Sequence, residues 1–233
     1  PLLREAFMGW VVGFAAAPLI LLYPLFLIFF GRGFATIIAM SGVAAVTPII
    51  LKTVEGLDGT RAVLRGAKIW KPIIAAVNGY CTAGGMEMLG GVDIRLACPE
   101  AQFAVMEPKR GLFAGGGTTV RLPRQIPFPH AMEFLLCADL VPAERAMAMG
   151  LLNAIVPRDE LLDAAYDYAR RITANAPLAV QATKRSVWEG LGMPLKDAYR
   201  NESAISSEIF ATEDAKEGPR AFAEKRPPRW QGK

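Results

Sequence analysis

The chain has 233 residues, of which 52% are hydrophobic and 21% charged, and its formal net charge is +4 at pH 7. This mild excess, with no basic run interleaved with aromatics, argues against a nucleic-acid partner. Three widely spaced cysteines without a CxxC pair argue against disulfides and zinc, and favour a reducing compartment, the cytoplasm. Because His130 is the only histidine, a Ser-His-Asp centre or an HExxH metal site is also disfavoured.

The first part of the chain has an unusual composition. Residues 6–31 and 33–51 contain no charged side chain. About 20 apolar residues suffice for a helix to cross a bilayer, and a buried helix of a soluble protein normally keeps a polar face. We therefore expect two apolar helices, at 8–30 and 33–51, that associate with a membrane. A buried helix pair is the alternative.

From residue 68 onward the pattern is that of a globular domain. Residues 72–78 form a branched apolar run typical of a buried strand. Gly84 and Gly85 then open a helix, which Gly90 and Gly91 are expected to close. The elements predicted next are strands at 93–97 and 102–105, a glycine turn at 115–117, helices at 129–137 and 142–149, a short strand at 154–156, and helices at 159–174, 177–190 and 194–211. The charged tail after them contains a proline pair that ends any helix.

Two glutamates stand beside the glycine turns. Glu87 lies in an otherwise apolar segment, GGMEMLGG, where a charge is costly unless it is paired or lines a cavity. Glu107 follows a predicted strand and precedes the turn at 115–117. A glutamate considered alone is more often exposed or ion-paired than catalytic. Two in such settings make an acid/base pair a hypothesis worth testing.

The glycine and glutamate motifs together resemble the crotonase (enoyl-CoA hydratase/isomerase) family. The segment KPIIAAVNGYCTAGGMEMLGGVDIRLACPEAQFAVMEPKRGLFAGGGTTVRLP is similar to the central signature of that family, and LVPAERAMAMGLLNAIVP, ANAPLAVQATK and EDAKEGPRAFAEKRPP continue the similarity. It covers about residues 69–233. The resemblance implies an α/β fold, a ββα spiral core followed by C-terminal helices, and a trimeric or hexameric assembly.

The resemblance also implies functional roles. Glu87 and Glu107 match the two family glutamates that, in hydratases, deprotonate the attacking water and protonate the substrate's α carbon. Gly84 matches the residue whose amide binds the thioester carbonyl in the oxyanion hole, and Gly115 matches a loop glycine beside the water site. Phe222 and Lys225 match tail residues that approach the CoA moiety, often in a neighbouring subunit. The expected substrate is an acyl-CoA thioester, with no separate cofactor and no metal.

One expected part of the family pattern does not occur in this sequence. Family members carry a first half with an Ala-x-Gly-x-Asp loop, and no such loop is found here. Residues 1–57 instead resemble a permease subunit of an ABC importer, through "LYPLFLIFFGRGFATIIAMSGVAAVTPIIL" and "TPIILKTVEGL". The predicted organisation is a permease-like all-α segment at 1–57, a junction at 58–68 and a crotonase-like domain, truncated at its N-terminal side, at 69–233.

Three hypotheses follow from this organisation. The first is an enzyme that hydrates a trans-2-enoyl-CoA to a 3-hydroxyacyl-CoA. The second is an inactive truncated or chimeric chain whose first part comes from a permease. The third is a crotonase-like domain tethered to a membrane through residues 8–51.

Overall fold

The computed structural model describes residues 63–233. The predicted apolar helices at 8–30 and 33–51, the permease-like segment 1–57 and most of the junction 58–68 lie outside these residues. Among the helices that the model describes, none is long and apolar enough to span a bilayer.

The described part of the chain alternates short strands with helices. The strands are β1 (Ile74–Val77), β2 (Tyr80–Thr82), β3 (Ile94–Ala97), β4 (Gln102–Ala104), β5 (Val141–Pro142) and β6 (Ala154–Ile155). The helices are α1 (Gly84–Leu89), α2 (Thr118–Gln125), α3 (Phe128–Cys137), α4 (Ala143–Ala148), α5 (Leu161–Thr173), α6 (Pro177–Gly190), α7 (Leu195–Phe210) and α8 (Glu213–Ala223). A 3-10 turn at Pro108–Arg110 lies between β4 and α2.

Two successive strand–strand–helix units stack on each other. The first unit is β1–β2–α1 and the second is β3–β4–α2. Strand β1 pairs with β3 in parallel, and β2 pairs with β4 in parallel. Strand β6 extends the first sheet in parallel, and β5 closes the second in antiparallel fashion. This arrangement confirms the α/β spiral that the sequence resemblance implied.

The core lies between these sheets and the helices that cover them. Its largest fully buried side chains include Phe103, Phe134, Met86 and Leu96. Full burial of such a side chain contributes roughly 1.5–3 kcal/mol to folding. Because Met86 of α1 is among them, the helix that carries Glu87 is anchored in the core one residue away from the glutamate.

The structure contains four elements that the sequence did not predict: strands β2 and β5 and helices α2 and α8. Gly90, with φ −60°, is the residue at which α1 ends, so the predicted end of this helix is confirmed. The tail forms a helix, α8, before its proline pair, and Thr212 caps that helix by accepting a hydrogen bond from Ala215 N at 3.2 Å. The other predicted strands and helices are confirmed to within a few residues.

Candidate active site

The two glutamates follow neighbouring parallel strands. Thr82, the last residue of β2, is paired with Ala104, the last residue of β4, and Ala83 N donates to Ala104 O at 3.1 Å. Glu87 lies one helical turn after Ala83, whose carbonyl accepts its amide at 3.1 Å. Glu107 lies three residues after β4. Since parallel strands end at a common edge, the structure places both glutamates at the carboxyl edge of the β2–β4 pair.

The turn between β2 and α1 holds a strained residue. Ala83 has φ 50° and ψ −118°, a conformation that residues with a side chain rarely adopt. Backbone strain of this kind costs about 1–3 kcal/mol and is concentrated at functional sites. It turns the chain directly from β2 into α1. No signal in the sequence identifies this residue.

The Glu87 carboxylate is held by the glycine loop before α2. Gly116 N donates to Glu87 Oε1 at 2.5 Å. A Cβ atom added to Gly116 would overlap the Glu87 carboxylate, so a side chain here would displace it. The sequence resemblance indicated Gly115, whose carbonyl accepts from Arg65 Nη1 at 2.7 Å. In this structure it is therefore Gly116, which sequence reasoning missed, that contacts Glu87.

The Glu107 side chain has an unused acceptor. Its Oε2 atom is buried and accepts no hydrogen bond within residues 63–233. Its backbone carbonyl is engaged, accepting from Arg110 N at 2.9 Å and Leu112 N at 3.0 Å, which fixes the turn. A buried polar atom without a partner costs roughly 1–3 kcal/mol. Among the described residues, the fold thus leaves this oxygen without a protein partner.

The third predicted site residue, Gly84, opens α1. The first four N–H groups of a helix have no partner within the helix. Gly84 is exposed and lies three residues before Glu87, so the two residues share a helical face. An amide at this end of a helix suits an oxygen that gains negative charge.

The predicted tail residues lie elsewhere in the chain. Phe222, near the end of α8, is 87% exposed, and Lys225 follows it with φ 52°. Within residues 63–233, no hydrogen bond joins α8 to α1 or to the loop at 107–117. Among the described residues, no hydrogen bond therefore connects Phe222 or Lys225 to the two glutamates.

A buried thiol beneath α1 takes no part in nucleophilic chemistry. Cys81 lies on β2, and a Cβ on Gly85 would come within 3.5 Å of its sulfur. Burial raises the pKa of the Cys81 thiol to about 12, and the charge of Arg95 lowers it less. Because the thiolate is the nucleophile, a thiol with this pKa is inert near neutral pH.

Two cavities in the described part of the chain are lined by neither glutamate. A cavity of about 560 Å³ is lined by Gly117 and Arg121, next to the residues that contact Glu87, but not by either glutamate. A second, of about 920 Å³, lies between β3 and α6 and also excludes them. The candidate site is defined by the two carboxylates, because acid/base chemistry would need those groups and neither cavity is lined by them.

Comparison with known proteins agrees with the fold and the motifs. The profile of the enoyl-CoA hydratase/isomerase family matches residues 55–233, more than three quarters of the chain. The match begins before residue 69, where the sequence resemblance began, and includes the predicted junction 58–68.

Individual relatives carry related names. Enoyl-CoA hydratase EchA19 of Mycobacterium tuberculosis is 46% identical over 172 residues, which are 74% of this chain and 65% of that protein. The (E)-benzylidenesuccinyl-CoA hydratase of Thauera aromatica is 41% identical over 175 residues, 75% of this chain and 68% of that protein. A crystal structure of enoyl-CoA hydratase from M. tuberculosis H37Rv superposes with a TM-score of 0.68 at 47% identity, covering 70% of this chain and 65% of that one.

The chain thus spans about two thirds of the length of these relatives. Over that span, the spiral of strand–strand–helix units, the glycine-flanked glutamates and the family profile agree. The chain belongs to the enoyl-CoA hydratase/isomerase family.

Proposed function

We propose that this protein hydrates a trans-2-enoyl-CoA thioester to the 3-hydroxyacyl-CoA, with Glu87 and Glu107 as its acid/base pair. The observation that carries the proposal is the pairing of two unlike carboxylates at one sheet edge. Glu87 is oriented by a backbone amide, while Glu107 has a buried oxygen that accepts no hydrogen bond from residues 63–233. The names of the relatives, which are hydratases of CoA thioesters, support the substrate class.

Each glutamate has a defined part in the proposed step. The Glu87 carboxylate removes a proton from water as the water oxygen forms a bond to C3. The C2–C3 π electrons move toward the thioester carbonyl, and protonated Glu107 delivers its proton to C2. Exchange with solvent then restores both glutamates. General acid/base groups of this kind contribute about 10²–10⁴-fold in rate each.

The proposed role of Gly84 is to stabilise the enolate oxygen. Negative charge develops on the thioester oxygen while C2 awaits its proton. An amide fixed at a helix start needs no reorganisation to meet that charge, and loss of one such donor typically costs about 10²–10³-fold. Because Gly84 and Glu87 share a helix face, a carbonyl bound at Gly84 would place the adjacent carbons near the Glu87 carboxylate.

The direct test is a pair of isosteric substitutions assayed on crotonyl-CoA by the loss of enoyl-thioester absorbance. Glu107→Gln and Glu87→Gln should each lower kcat/KM by about 10²–10⁴-fold. Glu202→Gln, on the exposed face of α7, is the matched control and should leave the rate unchanged. Full activity of Glu107→Gln would overturn the assignment of the acid.

The same variants separate hydration from double-bond isomerisation. An isomerase that uses one glutamate should shift the double bond of a 3-enoyl-CoA and should tolerate loss of the other glutamate. If Glu87→Gln converts 3-enoyl-CoA at the unmodified rate, the protein is a one-glutamate isomerase and the hydratase proposal fails.

A further inference from the structure

The short helix that carries Glu87 is held at its C-terminal end by side chains from other elements. Arg121 of α2 donates to Glu87 O at 3.0 Å, and Gln125 of α2 donates to Gly90 O at 2.8 Å. Arg95 of β3 donates to Val92 O at 3.3 Å. A helix leaves its last carbonyls without internal partners. Here protein side chains, rather than bulk water, satisfy three carbonyls at or just after the end of α1.

Arg121 makes the most connections in this set. Besides Glu87 O, its guanidinium donates to Val63 O at 3.0 Å and to Leu64 O at 2.6 Å. One side chain thus joins three main-chain segments: α1, α2 and the stretch that enters the described domain. Within residues 63–233 it forms no ion pair with a carboxylate, so its bonds to carbonyls are what hold it.

The glycine pair after α1 makes room for this arginine. A Cβ on Gly90 would approach Arg121 Cδ to 3.1 Å, and a Cβ on Gly91 would approach Arg121 Nη1 to 3.3 Å and Leu64 Cβ to 2.7 Å. Gly90 is right-handed, so its backbone conformation does not require glycine. The close approach of Arg121 and Leu64 is the physical reason for two small residues here.

We propose that Arg121 is a positioning residue, which fixes the α1 backbone at Glu87 and thereby places the Glu87 carboxylate relative to the Gly84 amide. The inference rests on the proposed function, and Arg121 itself touches no reacting atom. Because the carbonyl that Arg121 binds belongs to Glu87 itself, three residues after Gly84, a shift at that carbonyl moves the Glu87 carboxylate relative to the Gly84 amide. Misplacement by about 1 Å can cost a catalyst about 100-fold.

The geometry requires arginine rather than a generic cation. A guanidinium offers five donors in a planar fork, whereas an ammonium concentrates three donors on one atom. Arg121 uses two different nitrogens for its bonds to the three carbonyls. Burial lowers the pKa of Arg121, and the neighbouring Arg65 lowers it further, while Glu87 opposes both. A lysine at this position would satisfy only part of the set.

The experiment compares Arg121→Met with Arg124→Met in the full chain. Arg124 is also on α2, but among residues 63–233 it bonds only to Val120 O of its own helix, at 2.7 Å. On crotonyl-CoA, Arg121→Met should lower kcat by about 10–100-fold with KM within about threefold, as expected for lost positioning. Arg124→Met should change neither. Equal losses in the two variants, or a loss confined to KM, would overturn the proposal.

Two further measurements separate positioning from general destabilisation. In a Glu87→Gln background, Arg121→Met should cost less than threefold, because the group that it positions is already disabled. A multiplicative loss would overturn the proposal. If Arg121→Met does not fold, Arg121→Lys replaces it, and should show an intermediate kcat with an unchanged melting temperature.

Amide hydrogen exchange supplies a readout that does not depend on activity. Arg121→Met should speed exchange at residues 86–92 of α1 and its C-terminal turn, while exchange across α6 stays unchanged. Faster exchange across both helices, or in neither, would overturn the positioning role. If the unmodified protein hydrates no enoyl-CoA, the proposed function fails, and the exchange result still decides whether Arg121 holds α1.

Discussion

Two pairs of acidic side chains in this molecule have opposite surroundings. Asp214 and Glu217 in α8 are 3% and 4% exposed and accept several hydrogen bonds each. Glu87 and Glu107, at the β2–β4 edge, are only partly buried. Glu87 accepts one short bond from a loop amide, and Glu107 keeps a buried oxygen with no bond within residues 63–233.

The α8 pair organises the end of the chain. Glu217 accepts from Arg226 Nη1 at 2.6 Å, from Arg229 N at 2.9 Å and from Arg220. Arg226, followed by Arg220 and the Arg229 amide, holds the pKa of Glu217 well below its ordinary value. Asp214 accepts from two successive main-chain amides, Gln231 N at 2.7 Å and Gly232 N at 2.9 Å. These bonds fold the tail back onto α8.

The difference suggests how a structural carboxylate can be distinguished from a candidate catalytic one. Where every carboxylate oxygen already accepts bonds from the protein, fewer acceptor sites remain for a ligand. Where the fold buries an oxygen without a hydrogen bond, the free protein carries the desolvation cost of that oxygen. A ligand that donates a hydrogen bond to it would remove this cost. This criterion favours the β2–β4 edge as the proposed reaction site and gives the α8 pair a structural role.

The largest expected effect tests whether the edge glutamates act as one unit. Each single glutamine substitution should lower kcat/KM by about 10²–10⁴-fold. The kcat/KM of the double variant should be only slightly lower than that of the less active single variant, because neither proton transfer is productive without the other. Steady-state assays on crotonyl-CoA measure this. Losses that multiply would show that the two glutamates act independently.

The same comparison predicts a smaller effect on stability at α8. Asp214→Ala should lower the free energy of unfolding by about 1.5–3 kcal/mol, because two main-chain amides lose a charged acceptor. Urea denaturation followed by circular dichroism measures the change. Asp159→Ala, at an exposed position before α5, is the matched control and should lie within about 0.5 kcal/mol of the unmodified protein. An equal loss in both variants would contradict the structural role of Asp214.

Much of this fold could be predicted from the sequence. Branched apolar runs and glycine turns located β1, β3, β4 and α1. The family resemblance indicated both glutamates, which the structure places at one sheet edge and whose catalytic roles stay a prediction. Helix α8 was missed, although Thr212 followed by Glu213 and Asp214 is a helix-start pattern that could have revealed it. The proline pair further on predicts only where a helix must end.

The remaining site features depend on contacts between distant segments. The Gly116 amide reaches Glu87 across 29 positions, and Arg121 reaches Leu64 across 57. Neither spacing repeats with a helix or strand period, so no local pattern encodes it. The positive φ of Ala83 is likewise invisible, because alanine gives no sign of a backbone conformation that glycine usually supplies.

The smallest predicted effect is a pH dependence that belongs to α8. Because its arginine partners lower the folded-state pKa of Glu217 below its ordinary 4.5, the carboxylate stabilises the folded protein fully above that value. The stabilisation is then lost as pH falls further, toward the folded-state pKa. Glu217→Gln should therefore be less stable than the unmodified protein at pH 7, and the gap should narrow between about pH 5 and pH 3.

Urea unfolding at several pH values measures that gap. A protonated glutamate and a glutamine are nearly the same size and are both uncharged, so the two proteins should converge in stability at low pH. Glu202→Gln, whose carboxylate is exposed on α7, should show no such convergence because it has little stabilisation to lose. A gap that stays constant from pH 7 to about pH 3 would mean that packing around residue 217, rather than its charge, fixes the tail. In that case the number of hydrogen bonds to each carboxylate would no longer distinguish α8 from the β2–β4 edge. The distinction would then rest on Glu107 Oε2, which accepts no hydrogen bond from the described residues.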